Sequence, residues 1–445
     1  MLDSLHSPKS PIRSGIVPAV GLFGLVCLFV VSATARAELT IEITGGAQGA
    51  LPIAIVPFEL RGGGNLPEDV AAIVSADLHR SGRFKVSPRD QLAETPQGGA
   101  EVDFSAWRAA GAENLVVGWV ETMAQGQYAV QFRLFDVFKG EQLAGYSIPA
   151  TARGMRRAAH QISDIVYKRL TGQDGAFTSR IAYITKHKVN GETRFALTVA
   201  DADGWNPKDV VKSREPLMSP AWSPDGSQLA YVSFEGKKPA IYIQEVITGQ
   251  RRRVPTFSGI NGAPAWSPDG RQLALTLSKD GSPDIYVYDL ASGDFRRVTD
   301  HYAIDTEPVW TADGQNLLFT SDRGGQPQIY QVSASGGRAS RVTFEGSYNA
   351  RARVSPDGRQ IALVHQERGK FYIALQDLDN GRMILLSEGG LDESPSFAPN
   401  GSMVLYATAS RGQGVLAAVS VDGRVHQRLA IQKGDVREPA WSPSL

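Results

Sequence analysis

Few residues of this chain have the types and spacing that chemistry requires. Outside the first 37 residues its histidines are His79, His160, His187, His301, His365 and His426, scattered along the chain. No H-E-x-x-H, C-x-x-C or E-x-x-H pattern joins any of them into a metal-ligand set. No G-x-S-x-G elbow presents a nucleophilic serine. The glycine run "RGGGN" at 61–65 is not followed by a phosphate-gripping lysine, so it reads as a loop. The adjacent carboxylates Asp392 and Glu393 have the types for acid and base. Neighbours on an extended strand face opposite ways, which separates them. The expectation is a protein with no catalytic residues, no metal site and no cofactor.

The elements that must position any site come from a repeat. The phrase "PAWSPDGRQLALTLS" at 264–278 recurs as "PAWSPDGSQLAYVS" from Pro220, "PVWTADGQNLLFTS" from Pro308, "ARVSPDGRQIALVH" from Ala352 and "PSFAPNGSMVLYAT" from Pro395, and a clipped "PAWSPSL" stands at 439–445. Its anchors Trp222, Trp266, Trp310, Val354, Phe397 and Trp441 lie 44, 44, 44, 43 and 44 residues apart. A period in the forties with strand content predicts one four-stranded propeller blade per repeat. Within residues 264–300, "PAWS", "LALTL", "IYVYDL" and "FRRVT" read as strands separated by turns. Ser267-Pro268-Asp269-Gly270 has the grammar of a type I turn. The anchors are expected to pack between blades. Six second strands face six first strands out of step, because "RIAYIT" at 180 lacks the phrase before it and "PAWSPSL" lacks a strand after it. The prediction is a six-bladed propeller closed by the C-terminal strand, which completes the blade begun at Arg180 and leaves no open ring.

Residues 1–37 carry Lys9 and Arg13, then the apolar run "IVPAVGLFGLVCLFVVSA", then Ala35-Arg36-Ala37. This is the layout of a cleaved secretory signal, with an uncleaved anchor as the rival reading. The only cysteine, Cys27, lies inside that run, so a mature chain would hold no disulfide, which suits a bacterial periplasm. Removing the leader takes Lys9, Arg13, Arg36 and Asp3 from 46 basic and 46 acidic residues, leaving a net charge near −2. Nothing in that balance recommends nucleic acid or an anionic membrane as partner. Arg251 to Arg253 form the densest basic run and fit the solvated edge of an outer strand.

Residues 38–172 lack the repeat and read as an N-terminal α/β domain, with 173–445 as the propeller. Strands are predicted at 39–43, 53–58, 114–121, 128–137 and about 142–148, and helices at 67–80, 103–110 and 152–170. The last helix lines up Met155, Ala158, Ala159, Ile162, Ile165, Val166 and Leu170 on one stripe.

In a propeller every loop entering an innermost strand reaches the same channel mouth. Those loops supply Ser219, Ala263, Thr306 with Glu307, Arg351, Glu393 with Ser394, and Arg437 with Glu438. Small, polar and oppositely charged residues in one place suit a surface that docks another protein. The alternative is a propeller enzyme, a polysaccharide lyase or hydrolase using channel carboxylates and histidines, but no histidine falls at these positions.

The exported α/β unit beginning "ELTIEITGG" and "PIAIVPF", the six-blade count, and the phrases "NGAPAWSPDG" (261–270), "LSKDGSPDIYVYDLASG" (277–293), "TEPVW" (306–310), "LDESPS" (391–396) and "PAWSP" resemble the TolB family of the Tol-Pal envelope system over 38–445. The resemblance implies a periplasmic, non-enzymatic binding protein, peripheral to membranes, that helps the outer membrane constrict at division. It implies docking of the lipoprotein Pal at the propeller mouth, by position at Ile260, Ala263 and Thr306. It implies engagement of the inner-membrane protein TolA by the mature N-terminal segment Glu38, Leu39, Thr40, Ile41, Glu42 and Ile43. Colicins recruit some members through the same mouth. The alternating "ELTIEI" can pair as a strand with its own domain or with a partner's sheet edge.

Overall fold

The computed structural model describes residues 41–44, 49–96, 102–429 and 434–444. Its N-terminal part is a mixed sheet. Leu51–Ile55 pairs in parallel with Phe84–Val86 on one side and Asn114–Thr122 on the other. Asn114–Thr122 also takes the short strand Glu59–Arg61 in parallel, and continues through antiparallel Gln127–Asp136 to Glu141–Thr151. The first seven residues of Asn114–Thr122 are buried, as a central strand covered on both faces must be. Helices Val70–Arg80 and Met155–Thr171 cover one face, where Val74, Leu78, Ala159, Ile162 and Val166 meet Ile53, Ile55 and Phe132. The short helix Phe104–Ala109 covers the other, with Trp107 against Val56, Leu115 and Val117.

The first two helices begin later than their apolar patterns suggest, because an acidic cap sits inside each of those predicted spans. The Asp69 carboxylate accepts from Ala72 N at 3.0 Å and that of Asp103 from Ser105 N at 2.9 Å. The third ends at Gly172, whose φ of 77° is the left-handed cap that glycine adopts freely. The predicted stripe is the buried face, with Ile165 and Leu170 at its margin. Phe84–Val86, three residues long, was too short to give a periodic signal.

Six four-stranded sheets follow. In chain order, from inner to outer strand, blade 2 spans Leu217–Arg253, blade 3 Asn261–Arg297, blade 4 Asp305–Arg341, blade 5 Asn349–Leu385 and blade 6 Glu393–Leu429. Blade 1 is composite. Its outer three strands run from Arg180 to Ser213, and its innermost is Asp435–Trp441, in register with Trp441 opposite Ile181. Arg180 N donates to Ser442 Oγ at 2.9 Å across the join. The expected closure is therefore the observed one.

The turn after the first strand does more than reverse the chain. In blade 3 Gly270 N donates to Ser267 O at 2.9 Å, while the Ser267 hydroxyl donates to Asp269 Oδ1 at 2.6 Å and accepts from Gln272 N at 2.9 Å. Ser223 with Asp225, Thr311 with Asp313 and Ser355 with Asp357 repeat the hydroxyl–carboxylate contact. In each, that hydroxyl bond leads the causes holding the aspartate below the ordinary carboxylate range.

One expectation needs correction. The N-terminal strand does not join the α/β sheet. Ile41–Thr44 pairs antiparallel with His426–Leu429, adding a fifth strand to the outer edge of blade 6. An outer blade strand is an open edge that accepts an alternating segment from any source, and this segment is in reach of it. The stretch after Gly172 is tied down. Asp164 accepts from Phe177 N at 2.8 Å and from the Thr178 hydroxyl at 2.7 Å, clamping the chain to the preceding helix.

Candidate partner-docking site

Each innermost strand carries one interruption at the same place. Pairing slips between Met218 and Ala221, Gly262 and Ala265, Thr306 and Val309, Ala350 and Arg353, Glu393 and Ser396, and Arg437 and Ala440. Inside each slip lies one residue of positive φ: Ser219 (52°), Ala263 (47°), Glu307 (55°), Arg351 (56°), Ser394 (56°) and Glu438 (49°). Six non-glycine residues in the left-handed region, one per blade, are a built feature; such a bulge re-aims a side chain and ends a ladder. In five blades a proline follows, whose missing N–H suits an unpaired position.

These six residues face a channel cavity of about 290 Å³. They are the residues the sequence assigned to entry loops. The structure places them within the strands instead, because the bulge lets an innermost strand run past the point where regular pairing stops. Thr306 and Glu393 stand at the outer margin of their bulges, half-buried, with Thr306 Oγ1 3.4 Å from Thr276 Oγ1. Arg437 is exposed beside Glu438.

The channel's charges are mutually engaged. Arg351 bonds Glu307 of blade 4 through Nε and donates to Ser394 Oγ of blade 6 at 2.6 Å through Nη1. Burial opposes its charge, but Glu307, Glu438 and Glu393 more than offset this and raise its pKa. Glu438 accepts the Ser219 backbone N–H, and burial pushes its carboxyl up against the pull of Arg351. Arg353 donates to the carbonyl of Ala352 at 2.9 Å, and burial pushes its pKa down. Asp392 and Glu393 diverge as expected: Asp392 is buried and accepts from Thr408 Oγ1, while Glu393 is half-buried.

Around the mouth the loops present apolar side chains to solvent. Ile260 is 45 % exposed, Tyr302 86 %, Ile304 52 %, Phe344 73 % and Leu391 66 %, with Met218 at the border of exposure. Sequence reasoning singled out Ile260 alone among these. It also missed what holds the loops, a buried polar residue two positions before the bulge in blades 3 to 6: Asn261, Asp305, Asn349 and Asp392. Asn261 accepts from Phe257 N at 2.9 Å and returns a bond to Phe257 O at 2.8 Å. Asp305 accepts from Arg323 at 2.6 Å. The recurrence of Asn or Asp at the repeat period was the available signal.

Ile41, Glu42 and Ile43 do not approach the mouth, since their strand lies at the opposite edge of blade 6 from its innermost strand. Glu38, Leu39 and Thr40 fall outside the described residues.

A second cluster joins the α/β part to blade 1. Asp77, His160 and Asp203 converge, all buried, within reach of a common ion. Their carboxylates are already taken. Arg80 bonds Asp77 at 2.9 Å, His160 Nδ1 lies 2.7 Å from Asp77 Oδ2, and Arg156 bonds Asp203 while stacking on Trp205. Burial would raise the Asp203 carboxyl, but Arg80, His160 and Arg156 together pull it down to about 2. Two guanidinium groups supply the charge a metal would otherwise bring, so the cluster reads as a joint between the parts. Gln427 of blade 6 adds a bond to the Arg80 carbonyl, and Asn400 one to Asp174 O at 2.8 Å.

Residues 39–143 match the model of the TolB amino-terminal domain and residues 167–445 that of the TolB beta propeller domain. The chain belongs to the TolB family. The Tol-Pal system protein TolB of Nitrosococcus oceani is 60 % identical over 425 residues, covering 95 % of this chain and 98 % of the relative. That of Thioalkalivibrio sulfidiphilus is 60 % identical over 423 residues, covering 95 % and 97 %. The crystal structure of TolB from Acinetobacter baumannii, 43 % identical, superposes with a TM-score of 0.84 over 91 % of this chain and all of that one. TolB-family membership makes this a non-enzymatic protein of the Tol-Pal system, and the lyase or hydrolase alternative is set aside. Among the described residues no helix is long and apolar enough to cross a membrane.

Proposed function

We propose that this chain is a periplasmic docking protein, exported by cleavage after Ala37, with residues 38–172 as one unit and 173–445 as the other. Its propeller mouth receives Pal and its mature N-terminal segment receives TolA, in support of outer-membrane integrity and constriction during division. The observation carrying this reading is the mouth itself. Ile260, Tyr302, Ile304, Phe344 and Leu391 project from four neighbouring loops of one face, over a channel rim of six bulge residues. Exposed apolar side chains grouped on one face beside polar groups are the surface pattern of a protein-binding site. Ser219, Ala263, Glu307, Arg351, Ser394 and Glu438 lie at its centre, with Thr306 and Glu393 beside them.

The N-terminal segment fits strand addition. Ile41–Thr44 already pairs with a sheet edge, and a partner edge offering equivalent hydrogen bonds would compete for it. One substitution and one deletion test the two contacts with purified partners. Thr306→Arg places a charged side chain at the mouth and is expected to weaken Pal binding by about 2 kcal/mol or more. Deletion of residues 38–43 is expected to abolish TolA binding and leave Pal binding measurable. Unchanged Pal affinity in Thr306→Arg and in Phe344→Glu would remove the mouth as the docking surface.

A further inference from the structure

The loop between blades 4 and 5 carries Phe344 at the mouth and rests on a buried polar network. Thr343 Oγ1 donates to Gln328 Oε1 at 2.7 Å, and Gln328 Nε2 donates to Gly346 O at 3.3 Å. Asn349 Nδ2 donates to Gln328 Oε1 at 2.8 Å and to Glu345 O at 2.7 Å. Both amide hydrogens of Asn349 are thus used on acceptors, which fixes the orientation of its side chain. Its Oδ1 can only accept, and the atom facing it at 2.8 Å is His365 Nδ1. The neutral His365 ring therefore carries its proton on Nδ1, and any second proton goes to Nε2.

That second position lies beneath the loop. A Cβ built on Gly346, whose φ is 69°, would stand 3.3 Å from His365 Nε2 and 2.5 Å from its Cε1. The ring is 7 % exposed. Tyr372 is its cross-strand neighbour, and the charged groups acting on it are Glu367, on its own strand, and Glu345, in the loop above.

We propose that His365 makes the mouth responsive to acid: a proton added at Nε2 puts a charge under Gly346, loosens the loop that presents Phe344, and weakens docking at the rim. The docking half of this statement rests on the mouth being the Pal-binding surface; the loop half does not. Burial holds the His365 pKa below its ordinary 6.5, outweighing the favourable pull of Glu367 and Glu345. A histidine whose folded pKa lies below its unfolded one binds fewer protons folded. The closed loop therefore keeps its full stability above the ordinary value and loses it as pH falls through 6.5 toward the folded pKa. By reciprocity, a partner seated on the closed loop resists protonation of the ring.

Hydrogen exchange of the 344–348 amides, corrected for intrinsic rates, tests the loop in the wild-type full chain at about pH 7.5 and about pH 5. The expected result is protection that falls at least about threefold in acid, following the titration of the His365 ring signal by NMR. His365→Gln, which keeps an N–H for Asn349 and has no proton to gain, is expected to show the same protection at both values. Binding of the soluble domain of Pal should weaken by a similar factor in acid for wild type and stay level for His365→Gln. Wild-type protection that is flat with pH, or that changes away from the ring's midpoint, overturns the proposal. If the variant folds poorly, the coincidence of ring and loop midpoints in the wild type still decides it. A loop that responds while Pal ignores the mouth at both pH values sustains the proton-linked loop and overturns the docking reading instead.

Discussion

The indole N–H of Trp266 donates to the backbone carbonyl of Ala221, one blade earlier, at 3.1 Å. Trp310 does the same to Ala265 at 3.1 Å, and Trp222 to Ala440 at 3.0 Å, so each tryptophan stitches its innermost strand to that of the previous blade. Trp441 donates to Ser179 Oγ at 2.8 Å, toward the α/β part. Val354 and Phe397 occupy the anchor in blades 5 and 6 and have no donor. At those seams Arg351 crosses instead, to Glu307 on one side and Ser394 on the other.

Trp266→Phe keeps the ring's apolar bulk and removes the donor, leaving the Ala221 carbonyl short of a partner. The expected loss is about 1 to 2 kcal/mol of unfolding free energy. Urea denaturation with an unchanged slope would register it, and a Val354→Phe control should not reproduce it.

Arg351→Met deletes both bridges while keeping the aliphatic stem. Glu307 is left half-buried without its counter-charge, and the expected cost is about 2 to 3 kcal/mol. Glu307→Gln in the same chain should restore part of that loss. The coupling energy from the double-mutant cycle is the measurement, and strict additivity would show that the pair does not act as a unit.

Asp203→Asn tests the joint between the α/β part and blade 1. The folded Asp203 pKa of about 2 lies below the ordinary 3.8, so its contribution is fully present above 3.8 and is lost as pH falls through about 2. The stability gap between wild type and Asp203→Asn should therefore be widest at neutral pH and should close in strong acid. Chemical unfolding followed by tryptophan fluorescence across that range gives the curve.

The turn aspartates give the propeller a similar acid limit, spread over several blades. Asp225, Asp269, Asp313 and Asp357 are each held below 3.8 by a neighbouring hydroxyl and by backbone N–H groups. Their stabilisation is lost as pH falls below that value. Ser267→Ala removes one such hydroxyl, and the Asp269 pKa measured by NMR should rise toward the ordinary value.

The ring was legible because its signal is repeated. Trp222, Trp266 and Trp310 alone set the period, and the out-of-step strands at Arg180 and Pro439 were enough to predict that the C-terminal strand completes the blade begun at Arg180. The six channel residues were legible for the same reason, although their positive φ was not, since a bulge depends on how the partner strand pairs. The Asp77, His160 and Asp203 cluster left no trace in local sequence because its members meet only when two units pack. The edge chosen by Ile41–Thr44 was equally hidden: alternation reveals a strand and is silent about which neighbour it takes.

The join in blade 1 ties the folding of the ring to the arrival of its last strand. Arg180 and Ser442 bond across a separation of 262 residues, so the final wedge closes a loop that runs around the whole propeller. Until Asp435–Trp441 is delivered, Arg180–Val189 presents bare backbone on its inner side. Without that strand the ring is an open arc, and closing it brings together segments far apart in sequence, the kind of pairing that forms slowly.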